Sequence, residues 1–267
     1  MPIFRKVFLL AAALCCANAL ADPPAYDGKT PMIEVGPMWL DPTTTEEEQT
    51  SIAESLAQAQ ANILAVYGQR LGSPKVVWCK TKECASFFSG TDGRSHASLG
   101  NGRPRRGAQY GFYFPAIVLT LQAQTSKISA ATNVLTHELS HIELRARLRG
   151  ASIPAWFNEG VATYLGGGQG CRLTVRGIDD LFELRTGEQW TDYTNQGAKQ
   201  KARTYCQASR EVGAWMSEHG GFAAVLQLLT KRAWGVSFDS LYGRKHQLII
   251  APDAQSVPRS SGLDSAD

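Results

Sequence analysis

The residues with the clearest chemical potential lie near the middle of the 267-residue chain, in the stretch THELSHIEL. His137, Glu138 and His141 form the pattern H-E-x-x-H, which on a helix places both histidines on one face with the glutamate beside them. Imidazoles at this spacing can share a metal ion, and the carboxylate can act as a base. Two histidines do not complete a metal site, so the pattern alone leaves open a helix with incidental histidines.

The motif lies on a helix predicted from about Ser126 to Arg149 and ended by Gly150. Apolar residues occupy most of its circumference, including the side that carries the histidines, so the helix is expected to be central. Imidazoles that face apolar surroundings need polar partners, because unpaired buried polar groups cost about 1–3 kcal/mol each. A metal ion would supply that partner.

A third ligand is available in the stretch IPAWFNEGVATYL. A chain that turns back at Gly150 and opens a second helix at Pro154 would bring Glu159 against the face of His137 and His141. A solvated helix glutamate is the alternative for an isolated Glu, but Glu159 stands among apolar residues. Catalytic zinc sites use three protein ligands and keep a fourth position for water. We therefore predict one Zn²⁺ per chain, bound by these two histidines and Glu159.

The blocks HELSH and WFNEGVA together resemble the zinc-binding core of the gluzincin metallopeptidases. The full combination most closely resembles the peptidase-MA-like family of exported bacterial proteins, over about residues 134–166. The resemblance implies an exported zinc metallopeptidase in which Glu138 takes a proton from a zinc-activated water as it attacks a carbonyl. It also implies that Tyr205 stabilises the developing oxyanion. Tyr164 is an alternative donor, and Tyr205 could instead be packed beside its disulfide.

Two departures from related enzymes restrict this expectation. The Gly-x-Met-Glu-Asn segment with which aminopeptidases of this clan capture a free amino end is absent, so aminopeptidase activity is not expected. Thermolysin-like enzymes carry Asp four residues after the third ligand, where this chain has Thr163. The groups that orient the histidines must therefore come from elsewhere.

The expected substrate is a peptide or protein. The rival interpretation is a catalytically silent, zinc-stabilised binding or assembly protein of the cell envelope. Presence of Glu138 favours the enzyme, since a degenerate site has no need of a general base. A third interpretation is hydrolysis of a non-peptide amide such as cell-wall material, and resemblance of fold cannot choose among these substrates.

Residues 1–21 are predicted to be a secretory signal peptide. They have a basic start (Arg5, Lys6), a short apolar run and an Ala-Leu-Ala end that favours cleavage before Asp22. The apolar run is short for a membrane anchor, and no later segment is apolar for long enough to cross a bilayer. A periplasmic or secreted location is therefore expected, with no transmembrane segment after signal removal.

The mature chain keeps four cysteines, an even count that favours disulfides in an exported protein. Four cysteines allow three pairings. The pairing of Cys79 with Cys84 is favoured because CKTKEC can close a small loop, and Cys171 with Cys206 would follow.

One α+β domain is predicted over residues 22–250, mostly helical, with a small mixed sheet packed on the zinc-binding helix and a disordered tail at 251–267. Strands are predicted at 75–79 and 116–122. The second strand is expected to offer an edge to an extended peptide near Gln122. Further helices are predicted in the following stretches: TTTEEEQTSIAESLAQAQANILAVYGQRLG, IDDLFELRTG, YCQASREVGAWMSEHGG and FAAVLQLLTKRAWG.

The remaining charged residues point to no further site. A net charge of +3 is not a nucleic-acid signature, so no nucleic-acid partner is expected. The one basic cluster stands among Gly and Pro and predicts a solvated loop rather than an anion site. Three further histidines are expected at the surface, and the sequence determines no oligomeric state. The residues concerned are Arg94, Arg103, Arg105, Arg106, His96, His219 and His246.

Overall fold

The computed structural model has α+β architecture, mostly helical with one five-stranded mixed sheet, as predicted. The predicted signal peptide (1–21) and the predicted disordered tail (251–267) lie outside the described residues. The structure describes residues 22–90, 95–98, 100–120, 128–168, 171, 178 and 180–243.

The sheet contains three parallel strands flanked by antiparallel ones. The strand order is β1-β2-β3-β5-β4, with β2, β3 and β5 parallel and with β1 and β4 antiparallel at the edges. Only β3 and β5 were predicted, since strands of three residues carry too little alternation to be recognised. The strands are β1 (Ile33–Val35), β2 (Met38–Leu40), β3 (Lys75–Trp78), β4 (His96–Ser98) and β5 (Ala116–Leu119).

The prediction that β5 offers a free edge is wrong. Strand β4 covers it, with His96 opposite Val118 and Ser98 opposite Ala116, so β4 is the outer strand on this side. The pairing could not be anticipated because β4 lies in a Gly-rich stretch that has no hydrophobic run. Gln122 lies outside the described residues.

Eight α-helices are present among the described residues, and none of them is long and apolar enough to cross a bilayer. The short helices α2, α5 and α8 were not predicted. The helices are α1 (Glu46–Tyr67), α2 (Lys82–Ser89), α3 (Ile128–Leu148), α4 (Ala155–Leu165), α5 (Gly187–Thr194), α6 (Ala198–His219), α7 (Phe222–Ala233) and α8 (Phe238–Tyr242).

Helix α1 begins as predicted but ends earlier. Thr45 and Glu48 form a reciprocal capping box at its start. The helix ends at Gly68, whose φ of 72° is readily adopted only by glycine, and not at Gly72. Gly72 is needed for a different reason, because a Cβ there would lie 2.3 Å from Cγ2 of Ile142 on α3.

Helix α3 is central, as predicted, and separates two apolar cores. Leu135, Leu139 and Ile142 pack into a core formed with the sheet and α1. Leu144 and Leu148 pack into a second core formed with α4, α6, α7 and α8. Helix α3 is therefore held on both sides, by direct contacts with α1, α4, α7, β4 and β5.

The helix predicted over IDDLFELRTG is wrong. The described residues of that stretch form only a 3₁₀ turn, Leu181–Glu183. Thr186 then begins α5 by a capping box in which its side chain accepts from Gln189 N–H and Gln189 bonds back to the Thr186 amide. A strong N-cap at Thr186 requires extended backbone there, so no helix can continue through it.

Both predicted disulfides are present. Cys79 is bonded to Cys84 with a Cα–Cα distance of 5.3 Å, and Cys171 to Cys206 with 5.6 Å. The first joins the end of β3 to α2, and the second ties a residue beyond α4 to α6. Paired cysteines of this kind are typical of proteins in oxidising compartments.

Candidate metal centre

The two motif histidines lie on successive turns of α3 and face the same space. Their ring centroids are 4.7 Å apart, with the planes at 85°. The Nε2 atoms of His137 and His141 approach to 3.1 Å. Both side chains are half-buried, so these nitrogens meet at the floor of a cavity rather than on an open surface.

Helix α4 brings Glu159 to the same point, as predicted. Its Oε2 atom lies 3.4 Å from His137 Nε2 and 3.6 Å from His141 Nε2. One ligand atom from each of these three residues lies within 4.8 Å of the others, so the group could hold a metal ion. Among the described residues no fourth His, Cys, Asp or Glu joins it.

A sharp turn and a close helix contact position Glu159. Arg149 (φ 49°) and Gly150 (φ 93°) end α3 in left-handed conformations, and α4 follows Pro154. The neighbour of the ligand, Gly160, lies directly against α6. A Cβ on Gly160 would be 2.6 Å from the Ala208 carbonyl oxygen, so only glycine permits this approach.

Replacing Gly160 by Ala is therefore expected to destabilise the fold by about 1–3 kcal/mol, because α4 and α6 would have to separate. Gly187→Ala is the matched control, since a Cβ there meets nothing within 4 Å. The free energy of unfolding, measured by denaturant titration, should remain within about 1 kcal/mol of wild type in the control. Equal stability of the two variants would contradict the close contact.

The residues fit a tetrahedral divalent ion. Zn–N bonds of about 2.0–2.1 Å at tetrahedral angles separate neighbouring ligand atoms by about 3.3–3.4 Å. The three observed separations, 3.1, 3.4 and 3.6 Å, bracket that value. Glu159 Oε2 is also buried and has no hydrogen bond, because neither imidazole contact has the required geometry. An ion would give this orphaned oxygen the partner it lacks.

Electrostatics couple the three groups strongly. Burial opposes the charged form of His141, but the Glu159 carboxylate outweighs it and raises the pKa of His141 to about 9. Burial likewise opposes the charge on Glu159, yet His141 and His137 hold its pKa well below the usual range. Near neutral pH the metal-free pair is therefore an imidazolium and a carboxylate. Metal binding would displace that imidazolium proton.

The residue that orients His141 is Asn158, which the sequence did not single out. Its Oδ1 lies 3.2 Å from His141 Nδ1. When the imidazole is neutral, an N–H at Nδ1 that donates to Oδ1 leaves Nε2 unprotonated and directed at Glu159. Asn158, the residue just before Glu159, therefore contacts the histidine in place of the Asp that thermolysin-like enzymes carry at the position of Thr163.

Asn158→Ala is expected to weaken zinc binding by about 10–100-fold, because the tautomer and ring orientation of His141 would no longer be set. Asn158→Asp keeps an acceptor in the same place and should restore most of the affinity. Competition titration with a chromophoric chelator measures both. Wild-type affinity in the Ala variant would show that Oδ1 does not orient the ring.

Glu138 lies at the same cavity, as predicted. The residue is 6% exposed, and its carboxylate accepts a hydrogen bond from the Ala97 amide of β4. Burial raises the pKa of Glu138, and His137 and His141 oppose that shift. A carboxylate beside the ligand group but outside it can accept a proton without being held by the metal.

The cavity at this centre has a volume of about 620 Å³, within the range of small-molecule and peptide sites. One wall is the outer strand β4 with the loop that follows it, and the other is formed by α3, α4, α5 and α6. Leu144, Leu148 and Ile153 form an apolar part of the second wall.

Of the two tyrosines considered, Tyr205 lies at the cavity and Tyr164 does not. The Tyr205 ring is 6.2 Å from the His137 ring and packs edge-on against Trp190 at 5.0 Å. Tyr164 packs against Gly213 on α6 and is not among the residues that line the cavity. The structure thus brings Tyr205 together with the ligands.

Neither of the other two histidines that the structure describes is part of the metal group. His96 on β4 is half-buried and lines the cavity, so its expected surface position is only partly correct. His219 ends α6 as expected, with Nδ1 2.7 Å from the Trp215 carbonyl. His246 lies outside the described residues.

The described residues of the basic cluster are exposed, as predicted for a solvated loop. Two of them, Arg103 and Arg105, also line the cavity, which the sequence did not indicate. Arg94 lies outside the described residues.

The chain matches no protein-family model, no curated protein and no solved structure.

Proposed function

We propose that this protein is a zinc-dependent hydrolase of the gluzincin type that cleaves amide bonds in peptides or proteins. The observation that carries the proposal is the convergence of His137, His141 and Glu159 within 4.8 Å, beside a glutamate that is not part of the group. The sequence resemblance noted above supports it independently.

Each residue of the site then has a distinct role in the proposed hydrolysis. When bound, zinc supplies a Lewis acid that polarises a carbonyl and acidifies water. Glu138 accepts the proton of the attacking water and returns it to the leaving amine. Tyr205, on the same cavity wall as the ligands, donates to the developing oxyanion.

An extended peptide fits the cavity because β4 is the outer strand of the sheet. Its residues line the cavity from Ser95 to Ser98. An outer strand offers backbone donors and acceptors to a further strand. The peptide edge expected at β5 is therefore proposed at β4 instead, directly beside Glu138.

The rival, a silent zinc-stabilised envelope protein, would favour a closed site with four protein ligands. The three-residue group among the described residues, which opens on a cavity, supports an enzyme instead. Hydrolysis of a non-peptide amide would use the same residues as peptide hydrolysis. Only an assay with both kinds of substrate distinguishes the two. The two disulfides support the proposal that the protein acts in the periplasm or outside the cell.

The test is a peptide-library cleavage assay with the mature chain loaded with zinc, stripped by chelator and reloaded. Metal analysis should give about one zinc per chain, and cleavage should disappear and return with the metal. If the zinc-loaded protein cleaved no peptide but hydrolysed a cell-wall amide, the proposed peptide substrate would be wrong and a non-peptide amide would take its place. A stoichiometrically loaded protein with no hydrolysis of either would favour the silent envelope protein.

A further inference from the structure

The side chains around the proposed active site carry an excess of positive charge. Arg103 and Arg145 line the cavity, and its acidic lining residues within the described ranges are Glu138 and Glu159. A divalent ion would offset the charge of both carboxylates. Among the described lining residues, a substrate group in this cavity therefore meets a net positive field.

Arg145 is held at a defined distance from the ligands. It follows His141 by four residues on α3, so its backbone lies on the same face, about 6 Å further along the helix axis. This part of α3 is rigid, because the Glu143 carboxylate accepts from the Leu71 and Gly72 amides and pairs with Arg147. The Arg145 side chain is exposed, and no described carboxylate lies within ion-pair distance.

The loop between β4 and β5 brings the other arginine to the opposite wall. Its two arms meet where the Gly102 amide donates to the Phe112 carbonyl at 2.7 Å. A Cβ on Gly111 would lie 2.4 Å from the Gly102 carbonyl oxygen, so the arms can approach this closely only with glycine there. The loop is therefore closed at its base, and the tip that carries Arg103 is positioned at the cavity.

We propose that the cavity selects substrates that carry a carboxylate close to the bond that is cleaved. Guanidinium groups pair with carboxylates through two parallel hydrogen bonds, and they stand here on both walls. A separation of about 6 Å along α3 corresponds to about two residues of an extended peptide. The carboxylate can belong to an Asp or Glu side chain or to a free C-terminus. This specificity rests on the proposed hydrolase function.

The test compares matched peptides that differ only in charge. N-acetylated peptides with Glu, Gln or Lys at each position near the cleaved bond are prepared with either a free or an amidated C-terminus. The zinc-loaded protein should prefer the carboxylate form by about fivefold or more in kcat/KM, the size expected of a partly exposed ion pair. If amidated peptides with Glu are preferred to those with Gln, the recognised group is a side-chain carboxylate. If peptides with a free C-terminus are preferred to amidated ones, the recognised group is the C-terminal carboxylate.

Three variants connect the preference to the arginines. Arg145→Gln and Arg103→Gln should each reduce the ratio of acidic to neutral kcat/KM by about fivefold. Arg145→Lys keeps the charge but not the paired hydrogen bonds, so it should retain only part of the preference. Arg210→Gln removes an equal charge from an exposed position on α6 away from the cavity and should leave the ratio unchanged. Higher salt should reduce the preference, since these pairs are exposed.

Binding separates this proposal from the hydrolase proposal. The zinc-loaded Glu138→Gln protein is titrated with fluorescent acidic and neutral peptides, so turnover is not required. Tighter binding of the acidic peptide that is weakened in Glu138→Gln/Arg145→Gln, and lost when Arg103→Gln is added, supports the charge selectivity even if no cleavage is found. Equal binding and equal cleavage of acidic and neutral peptides, or a preference that persists without both Arg103 and Arg145, overturns it.

Discussion

The Glu138→Gln protein is expected to bind zinc as wild type does and to hydrolyse a responsive peptide about 10²–10⁴-fold more slowly. Glutamine occupies the same volume and can still accept from the Ala97 amide, but it cannot take a proton from water. Glu138 is outside the group of converging ligand atoms, so the metal should remain. Steady-state kinetics with metal analysis of the same sample measures both quantities.

The control for this variant is Glu54→Gln, which removes an exposed carboxylate from α1 far along the chain from the cavity residues. It should match wild type in zinc content and in rate. If Glu138→Gln kept its metal and its full activity on every responsive peptide, Glu138 would not be the general base. If it lost the metal, the proposed division between ligands and base would be wrong.

Glu159→Ala is expected to weaken zinc binding by more than about 100-fold, beyond the loss expected for an outer partner such as Asn158. The ligand set falls from three side chains to two, and no other described acid lies close enough to replace it. Hydrolysis should disappear with the metal at any zinc concentration that saturates wild type. Competition titration gives the affinity, and the activity assay should follow it.

The loss of zinc binding in Glu159→Ala can also be measured by thermal and chemical unfolding, which need no substrate. At free zinc about 100-fold above the Kd, the metal should add about 2.7 kcal/mol to the free energy of unfolding of wild type. Glu159→Ala should gain little under the same conditions, whereas Glu54→Ala should gain as much as wild type. A Glu159→Ala protein that is stabilised by zinc to the wild-type extent would show that Glu159 is not a ligand.

The convergence of His137, His141 and Glu159 into a group that could hold a metal ion could be predicted because each of its parts is local. A spacing of four positions from His137 to His141 places two side chains on one face of any α-helix. Gly150 and Pro154 mark the end of one helix and the start of the next, and so limit where Glu159 can lie. The capping box at Thr45 and the even cysteine count are local or compositional signals of the same kind.

The surroundings of the ligands could not be predicted because they come from contacts between distant segments. Asn158 can orient His141 only after α4 has packed against α3, a contact that no spacing reveals. Strand β4 is recognisable only from its pairing with β5, since three residues in a Gly-rich stretch carry no period. The failed helix at IDDLFELRTG has a similar cause, because the capping box at Thr186 outweighed helix propensity.

The sequence by itself determined that His137, His141 and Glu159 are candidate metal ligands and Glu138 a candidate base, since helical periodicity and chain breaks act over a few residues. Only the tertiary structure decided what surrounds them: the orienting amide of Asn158, the outer strand β4, and the arginines on both walls of the cavity. Arg103 and Arg145 stand more than forty residues apart in the chain. They line one cavity because α3 packs against β4, and long-range packing of that kind leaves no pattern in the sequence.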